Sequence, residues 1–376
     1  MRIAVNTRLL LQDKLEGIGW FTFETLSRIT KNHPEHDFYF LFDRPYSTEF
    51  ISGKNIHPIV IPPKTRHPIL WYLWFEFCIP KILKKIKADI FLSPDGFLSL
   101  TSNIPSISVI HDINFEHHPE DLKYYHRKYY TYFFKKYANK ATRIATVSSY
   151  SKEDISKTYQ IDKSKIDVCL NGVNVNFHPI TLKDKISVRK KYSDGKDYFL
   201  FVGALHPRKN ISRLLLAFDN FKQKTKSSNK LLIVGAKMWW NKKLNNSYEK
   251  MTFKKDVIFT GRKKIEELNN LYGSAIALCF VPYFEGFGIP IIEAMKCGCP
   301  VITSNCTSMP EIAGDAALFV NPFKPEEITN MMIKLNSDHE LRAELSARGQ
   351  IHSQNYSWNK TAQDLWNSIE KVLLKC

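Results

Sequence analysis

Short apolar runs alternate with longer amphipathic ones along this chain, and the alternation runs through twice. In the first half the strand-like runs are 3–6, 38–42, 58–61, 90–93, 107–110 and 144–147. Helical spacing falls between them at 19–30, 71–87 and 122–139. The second half has strand-like runs at 198–203, 231–235, 257–261, 276–281, 301–303 and 318–320, with helical spacing at 211–221, 265–272, 291–296 and 326–335. Strands that are apolar throughout, with a helix between each pair, suit a parallel sheet covered on both faces. The rhythm restarts near Tyr198, after a turn-rich stretch holding Asn171-Gly172-Val173-Asn174 and His178-Pro179. The expectation is an α/β protein of two doubly wound, Rossmann-like domains, 1–178 and 179–357. A last helix over 358–376 packs back on the first domain. A length of 376 residues accommodates two domains at roughly 150 residues each. Ligands of such sheets bind at the carboxyl ends of the strands, so two facing domains would hold their ligand in the cleft between them.

The charge narrows the partners. Lys and Arg number 54 against 37 acidic residues, a net of +17, which implies an anionic partner. Residues 1–180 carry a net +6 and the remainder +11, so charge alone does not say which half meets the anion. The seven cysteines are odd in number and irregularly spaced. They read as buried reduced thiols of a cytoplasmic protein. Cys297 and Cys299 lack the second Cys or His pair that a zinc site needs. Met1–Asn6 enters a strand pattern with no signal-peptide core. The aromatic run 69–80 is broken by Glu76 and is far shorter than the roughly 20 residues a spanning helix needs. A soluble cytoplasmic protein is expected, or one peripheral on the inner face of the cell membrane.

Two strand–loop–helix junctions carry chemistry. Phe284-Glu285-Gly286-Phe287-Gly288-Ile289-Pro290 follows a strand-like run and opens a helix containing Glu293. Its glycines let backbone approach a ligand, Pro290 suits a first helical turn, and the N–H groups there attract phosphate. Glu293, a turn further, could accept hydrogen bonds from two sugar hydroxyls. The second junction is Gly203-Ala204-Leu205-His206-Pro207-Arg208-Lys209-Asn210. Its adjacent cations suit a diphosphate, and Asn210 is a candidate helix cap. Glu16-Gly17-Ile18-Gly19 opens the first helix but fails as a dinucleotide fingerprint, since the third glycine position is Thr22. His111-Asp112 follows another strand-like run. Each motif taken alone is also compatible with a purely structural role: an ordinary turn, a solvated basic loop or a hydrogen-bonded loop histidine.

Taken in order, these residues resemble the family-four group of GT-B glycosyltransferases, and bacterial mannosyltransferase-like members in particular. The pattern comprises Glu285 to Glu293 with its Gly-Phe-Gly-Ile-Pro interior, Pro207–Asn210, Gly17-x-Gly19, His111-Asp112, Val147–Ser151, Asn171–Val173, Gly298–Ile302, Pro310-Glu311 and Asp315–Ala317. The resemblance implies an acceptor-side first domain, a nucleotide-sugar-binding second domain, transfer with retention, no cofactor and no obligatory metal. By this likeness Glu293 holds the donor ribose and Glu285 contacts the donor sugar. Gly203 and the backbone of Gly286, Phe287, Gly288 and Ile289 line the donor. Arg208 and Lys209 neutralise the departing diphosphate, and Gly17 and Gly19 let the first loop reach it. His111, with Asp112 beside it, sits near the anomeric carbon. There are departures: Glu16 stands where many relatives have Gly, and Ala204 where many have Arg, which leaves Arg208 as the candidate for that arginine's role. No Asp-x-Asp occurs, which argues against the metal-dependent GT-A arrangement.

The expected activity is hexosyl transfer, mannosyl favoured, from a GDP- or UDP-linked sugar to a glycan or lipid-linked glycan in cell-surface polysaccharide synthesis. The stretch 122–143 carries seven Lys or Arg and no acid, interleaved with aromatics, and 71–75 runs into Lys81, Lys84, Lys85 and Lys87. Such segments suit an anionic membrane surface or a core face with solvated lysines; the residues leave both open. The rivals are another GT-B enzyme, a sugar-nucleotide epimerase or phosphorylase, and a basic nucleic-acid-binding protein. The last lacks a recognition motif or concentrated basic tract, so no nucleic-acid partner is expected.

Overall fold

The computed structural model describes residues 1–12, 14–236 and 240–373. Its chain separates into two units, Met1–Gly172 with the last helix, and Val173–Ser357. In chain order the first unit comprises β1 (Arg2–Asn6), α1 (Gly17–Asn32), β2 (Asp37–Phe42), β3 (Ile56–Val60), α2 (Pro68–Leu73), α3 (Ile79–Ile86), β4 (Ile90–Ser93), β5 (Ser106–Val109), α4 (Asn114–His117), α5 (Tyr124–Lys140), β6 (Arg143–Thr146), α6 (Ser149–Tyr159) and β7 (Ile166–Val168). The second comprises α7 (Leu182–Ser193), β8 (Tyr198–Val202), α8 (Ile211–Thr225), β9 (Lys230–Val234), α9 (Lys242–Glu249), β10 (Val257–Gly261), α10 (Ile265–Ser274), β11 (Ala277–Phe280), α11 (Ile289–Lys296), β12 (Val301–Ser304), α12 (Met309–Ala313), β13 (Leu318–Val320), α13 (Pro325–Ser337) and α14 (His339–Ser353). The last helix, α15 (Trp358–Leu373), belongs to the first unit.

Each unit holds one wholly parallel sheet. The first is ordered β3-β2-β1-β4-β5-β6-β7 and the second β10-β9-β8-β11-β12-β13. Strand order reverses between β1 and β4 in one and between β8 and β11 in the other. In register, Val5 lies opposite Leu92 and Leu278 opposite Leu200. Because every strand runs the same way, the loops that follow them emerge at one edge, and the crevice at the reversal is where such sheets take ligands. All five β8 residues are buried, as an interior strand covered on both faces requires.

Several elements escape periodicity. β7 is a three-residue edge strand, and its Asp167 receives the Arg143 guanidinium at 2.7 and 2.8 Å. α7 buries only Val188 and Ser193, so its apolar face is too thin to read. The run expected as one helix over 71–87 is α2, a π-turn over Trp74–Cys78, and α3. Pro80 has no N–H for the carbonyl of Glu76 and its ring crowds that oxygen, which widens the turn. The orphaned Glu76 oxygen accepts from Thr101 Oγ1 at 2.9 Å. The Glu76 side chain, read in the sequence as a break in an apolar run, is buried and accepts the Leu100 and Thr101 amides at 3.0 to 3.1 Å.

The aromatic-basic segments serve two faces. Trp71, Trp74, Phe75, Tyr129, Phe134 and Tyr137 lie in the core. On the outer face Tyr72 meets Phe77 and Phe133, each at 5.9 Å, and Tyr72, Phe77, Tyr124, Tyr125 and Tyr132 are exposed. Lys81, Lys84, Lys85, Lys87, Lys123, Lys128, Lys135, Lys136 and Lys140 are exposed around them. No helix among the described residues is long and apolar enough to cross a membrane.

α15 closes the first unit against α1. His33 stacks on Trp366 with ring centroids 3.6 Å apart, and Thr361 Oγ1 donates to the Leu170 carbonyl at 2.6 Å. Lys371 and Ser368 both reach Asp167.

Candidate active site

In the second unit the two junction motifs flank the reversal between β8 and β11. β8 ends at Val202, and Gly203 follows at φ +148°. Gly235, after β9, has φ +151°, and a Cβ there would lie 1.9 Å from the Gly203 carbonyl oxygen. Only glycine permits that approach. Pro207–Lys209 then forms one 3₁₀ turn, with His206 Nδ1 accepting the Arg208 amide at 3.3 Å. Asn210 was expected as a helix cap, but its side chain makes no capping bond. It adopts φ +62° and donates instead to the carbonyls of Val281, at 3.1 Å, and Pro322, at 2.6 Å. Its amide therefore ties the cationic turn to the loop after β11. A second tie runs from the Tyr283 amide to the Arg208 carbonyl at 3.0 Å.

These ties bring three of the expected residues together. The Lys209 ammonium pairs with Glu285 Oε2, and Arg208 Nη1 lies 3.8 Å from the same oxygen. Lys209 also rides over the Phe280 ring at 4.8 Å. Beneath the loop, Ser308 Oγ donates to the Glu285 carbonyl at 2.8 Å and Ser304 Oγ to that of Pro282 at 2.5 Å. Two cations thus stand at the carboxyl end of the central strands, held by one carboxylate.

The glycine loop serves a different purpose at each position. Gly288 has φ +94°, and a Cβ there would meet Met309 Cε at 2.8 Å. Phe287, expected among the donor-binding residues, turns its ring inward. It is 3 % exposed and meets Tyr356 edge-on at 5.8 Å, which leaves its backbone alone for a ligand. Ile289 and Pro290 open α11, with the Ile291 amide bonded to Gly288 at 2.9 Å. Glu293 lies a turn on and is half-buried. No hydrogen bond or ion pair among the described residues joins it to Glu285 or Lys209. Its partner is Tyr272 of α10, whose hydroxyl donates to Oε2 at 2.8 Å. Burial pushes the Glu293 carboxyl up to about 7, and the Tyr272 bond opposes that rise.

In the first unit, Gly17 and Gly19 lie in the first turn of α1, after the loop that follows β1. A Cβ on Gly17 would meet nothing within 4 Å, whereas one on Gly19 would lie 3.0 Å from Leu15 Cδ2 and 3.1 Å from the Leu9 carbonyl. Gly19 is therefore accounted for by the packing of the preceding loop against the first turn of α1. His111 follows β5. Its Nε2 lies 2.9 Å from the Pro94 carbonyl, and its ring meets Phe21 edge-on at 4.9 Å. A carbonyl only accepts, so Nε2 carries the proton and Nδ1 is the acceptor. Burial lowers the ring's pKa, which keeps it neutral. Asp112 Oδ1 accepts the Asn114 amide at 3.1 Å. Nearby, Asp95 receives Arg8 Nε at 2.6 Å and Asn6 Nδ2 at 2.8 Å.

Sequence reasoning missed Tyr272, Gly235, Ser308, Arg8 and Asp95. A glycine directly after a strand, as at Gly235, was the one available signal; the others look like core or turn residues. Cys297 and Cys299 are buried thiols, and burial raises both pKa values. Among the described residues no group of three His, Cys, Asp or Glu side chains is placed to hold a metal ion.

Known proteins resemble this chain in sequence and in fold. Residues 183–352 match the glycosyl transferases group 1, and residues 16–177 match glycosyltransferase family 4. The chain is 30% identical over 266 residues to O-antigen chain mannosyltransferase B of Escherichia coli, covering 69% of each protein. It is also 30% identical over 256 residues to the O-antigen chain mannosyltransferase RfbU of Salmonella typhimurium, covering 68% of this chain and 67% of that one. Among solved structures, HepE of Anabaena with UDP and glucose superposes with a TM-score of 0.77 at 17% identity, over 98% of this chain and 99% of that one. WaaG, a glycosyltransferase involved in lipopolysaccharide biosynthesis, gives 0.75 at 18%, over 96% and 97%. The fold is GT-B. The chain belongs to the group 1, family-four-like glycosyltransferases, and it is a glycosyltransferase.

Proposed function

We propose that this enzyme transfers a hexosyl group, mannosyl favoured, from a GDP- or UDP-linked sugar to a glycan or lipid-linked glycan during cell-surface polysaccharide synthesis. Transfer proceeds with retention and without an obligatory metal or cofactor. The observation that carries the reading is the pairing of Lys209 and Arg208 around Glu285 at the strand reversal of the second sheet. A departing nucleoside diphosphate gains negative charge as the glycosidic bond breaks. Preorganised cations stabilise that charge with little reorganisation. Glu285 holds them in place and is available to the donor sugar's hydroxyls. Glu293 receives the ribose, the N–H groups opening α11 receive phosphate, and Gly203 and Gly286 let backbone come close. Gly17 and Gly19, in the first turn of α1, let the first unit's backbone come close to that phosphate. His111 and Asp112 serve the transferred sugar, with Nδ1 of His111 accepting from a hydroxyl. Mannose is favoured because the two O-antigen relatives are named mannosyltransferases.

The exposed aromatics of α2 and α5, ringed by lysines, support contact with an anionic membrane surface, where a lipid-linked acceptor would be met. A thermal-shift panel of UDP-, GDP- and ADP-sugars tests the donor. A ligand that binds only the folded state raises its melting point, and GDP-mannose is expected to give the largest rise. A panel in which no nucleotide sugar moves the melting point removes the reading.

A further inference from the structure

Glu293 has a partner that the junction motif does not contain. Tyr272, in the last turn of α10, is fully buried, and its ring meets Phe177 edge-on at 5.9 Å. Its hydroxyl lies 2.8 Å from Glu293 Oε2. The direction of this bond is fixed. Burial and the neighbouring carboxylate push the phenol well above its ordinary value, so it keeps its proton and donates. Cys297 and Cys299, the other titratable groups beside Tyr272, are thiols that burial holds neutral. A carboxylate offers about four acceptor directions, and the phenol occupies one of them on Oε2. The bond fixes the carboxyl's rotation and leaves Oε1 for another donor. It also favours the ionised form in a site whose burial favours the protonated one.

We propose that Tyr272 is a positioning residue for the donor's nucleoside: by holding Oε2 of Glu293 it turns Oε1 toward a vicinal diol and makes the site select ribose over 2′-deoxyribose. This rests on the donor reading above. Tyr272 touches no reacting atom, and its effect is on donor affinity and nucleoside choice rather than on the transfer step.

The test compares wild type, Tyr272→Phe, Glu293→Gln and the double variant. Phe keeps the ring against Phe177 and removes only the hydroxyl. Calorimetric titration with UDP and GDP, and with their 2′-deoxy counterparts, reads ribose discrimination directly. Wild type is expected to prefer a ribonucleotide about tenfold or more, and Tyr272→Phe to lose most of that preference, since a hydrogen bond to a charged group carries about that factor. In turnover assays the donor KM rises while kcat stays within about twofold, as expected when ground-state and transition-state binding fall together. The pH at which nucleotide binding is half lost moves upward in the variant. In the Glu293→Gln background, adding Tyr272→Phe changes nothing further. Unchanged ribose discrimination in a folded Tyr272→Phe overturns the proposal. So does a fall in kcat with no rise in KM, accompanied by a lower melting point, which marks a merely structural tyrosine. If wild type binds none of these diphosphates, the donor reading beneath it has failed instead.

Discussion

Glu285 and Glu293 are eight residues apart in one motif, yet their surroundings give them opposite tasks. Glu285 sits between two cations, Lys209 and Arg208. Glu293 faces a neutral phenol in a desolvated site. The first carboxylate organises positive charge; the second is itself hard to ionise. Removing Lys209 takes away the closer cation. Lys209→Ala is expected to lower turnover by about 10²- to 10³-fold, the scale for deleting one preorganised charge-stabilising group. Its circular dichroism should remain native, and wild-type turnover would remove Lys209 from the site. Glu293 makes a separate prediction about stability. Its carboxyl is raised from 4.5 to about 7 in the folded protein, so the folded state binds the proton more tightly. The resulting stabilisation is fully present below pH 4.5 and is lost as pH rises through about 7. Glu293→Gln removes that dependence. Without nucleotide, the variant should melt near wild type at pH 5 and above it at pH 8; a difference that is flat with pH would refute the assignment.

At the scale of elements, the site depends on loops fastened to one another more than on the strands that bear them. The cationic turn after β8 is fastened to the loop after β11 through Asn210 and Tyr283. It is fastened to the loop after β9 by the approach of Gly235 to the Gly203 carbonyl. Any side chain at position 235 must push that carbonyl away and adopt a strained φ. Gly235→Ala is expected to cost at least about 2 kcal/mol. It should also weaken donor binding, as measured by denaturant titration and calorimetry on the same sample. Wild-type values in both would show that the loops move independently. The π-turn before α3 follows the same logic. A proline removes one amide, the helix widens, and Thr101 takes the freed carbonyl.

At the scale of the whole molecule, part of the excess positive charge behind the net +17 lies on the lysine-ringed aromatic face of the first unit. The core aromatics of the same helices are not available to a membrane, so any binding must come from the outer residues and their lysines. The protein is expected to sediment with vesicles containing phosphatidylglycerol and to remain in the supernatant with phosphatidylcholine alone. Lys84→Ser with Lys85→Ser should weaken binding about thirtyfold, at about 1 kcal/mol for each charge. Absence from both kinds of vesicle would remove the membrane from the proposal.

The sequence by itself determined the alternation of elements, both parallel sheets, and the order of the motifs along the chain. It could do so because interior strands must be apolar on both faces, and because glycine and proline mark the turns between elements. β7 and α7 escaped it, since an edge strand or a thinly buried helix carries little periodic signal. So did the inward turn of Phe287, which an apolar ring beside two glycines does not announce. Only the tertiary structure decided which partners these polar and charged side chains received. Asn210 became a tie between loops, Glu76 a buried anchor for backbone amides, and Glu293 the partner of Tyr272. Those pairings join residues that are 21 to 112 positions apart. No local pattern encodes them, because they arise when the sheets bring distant loops to one edge.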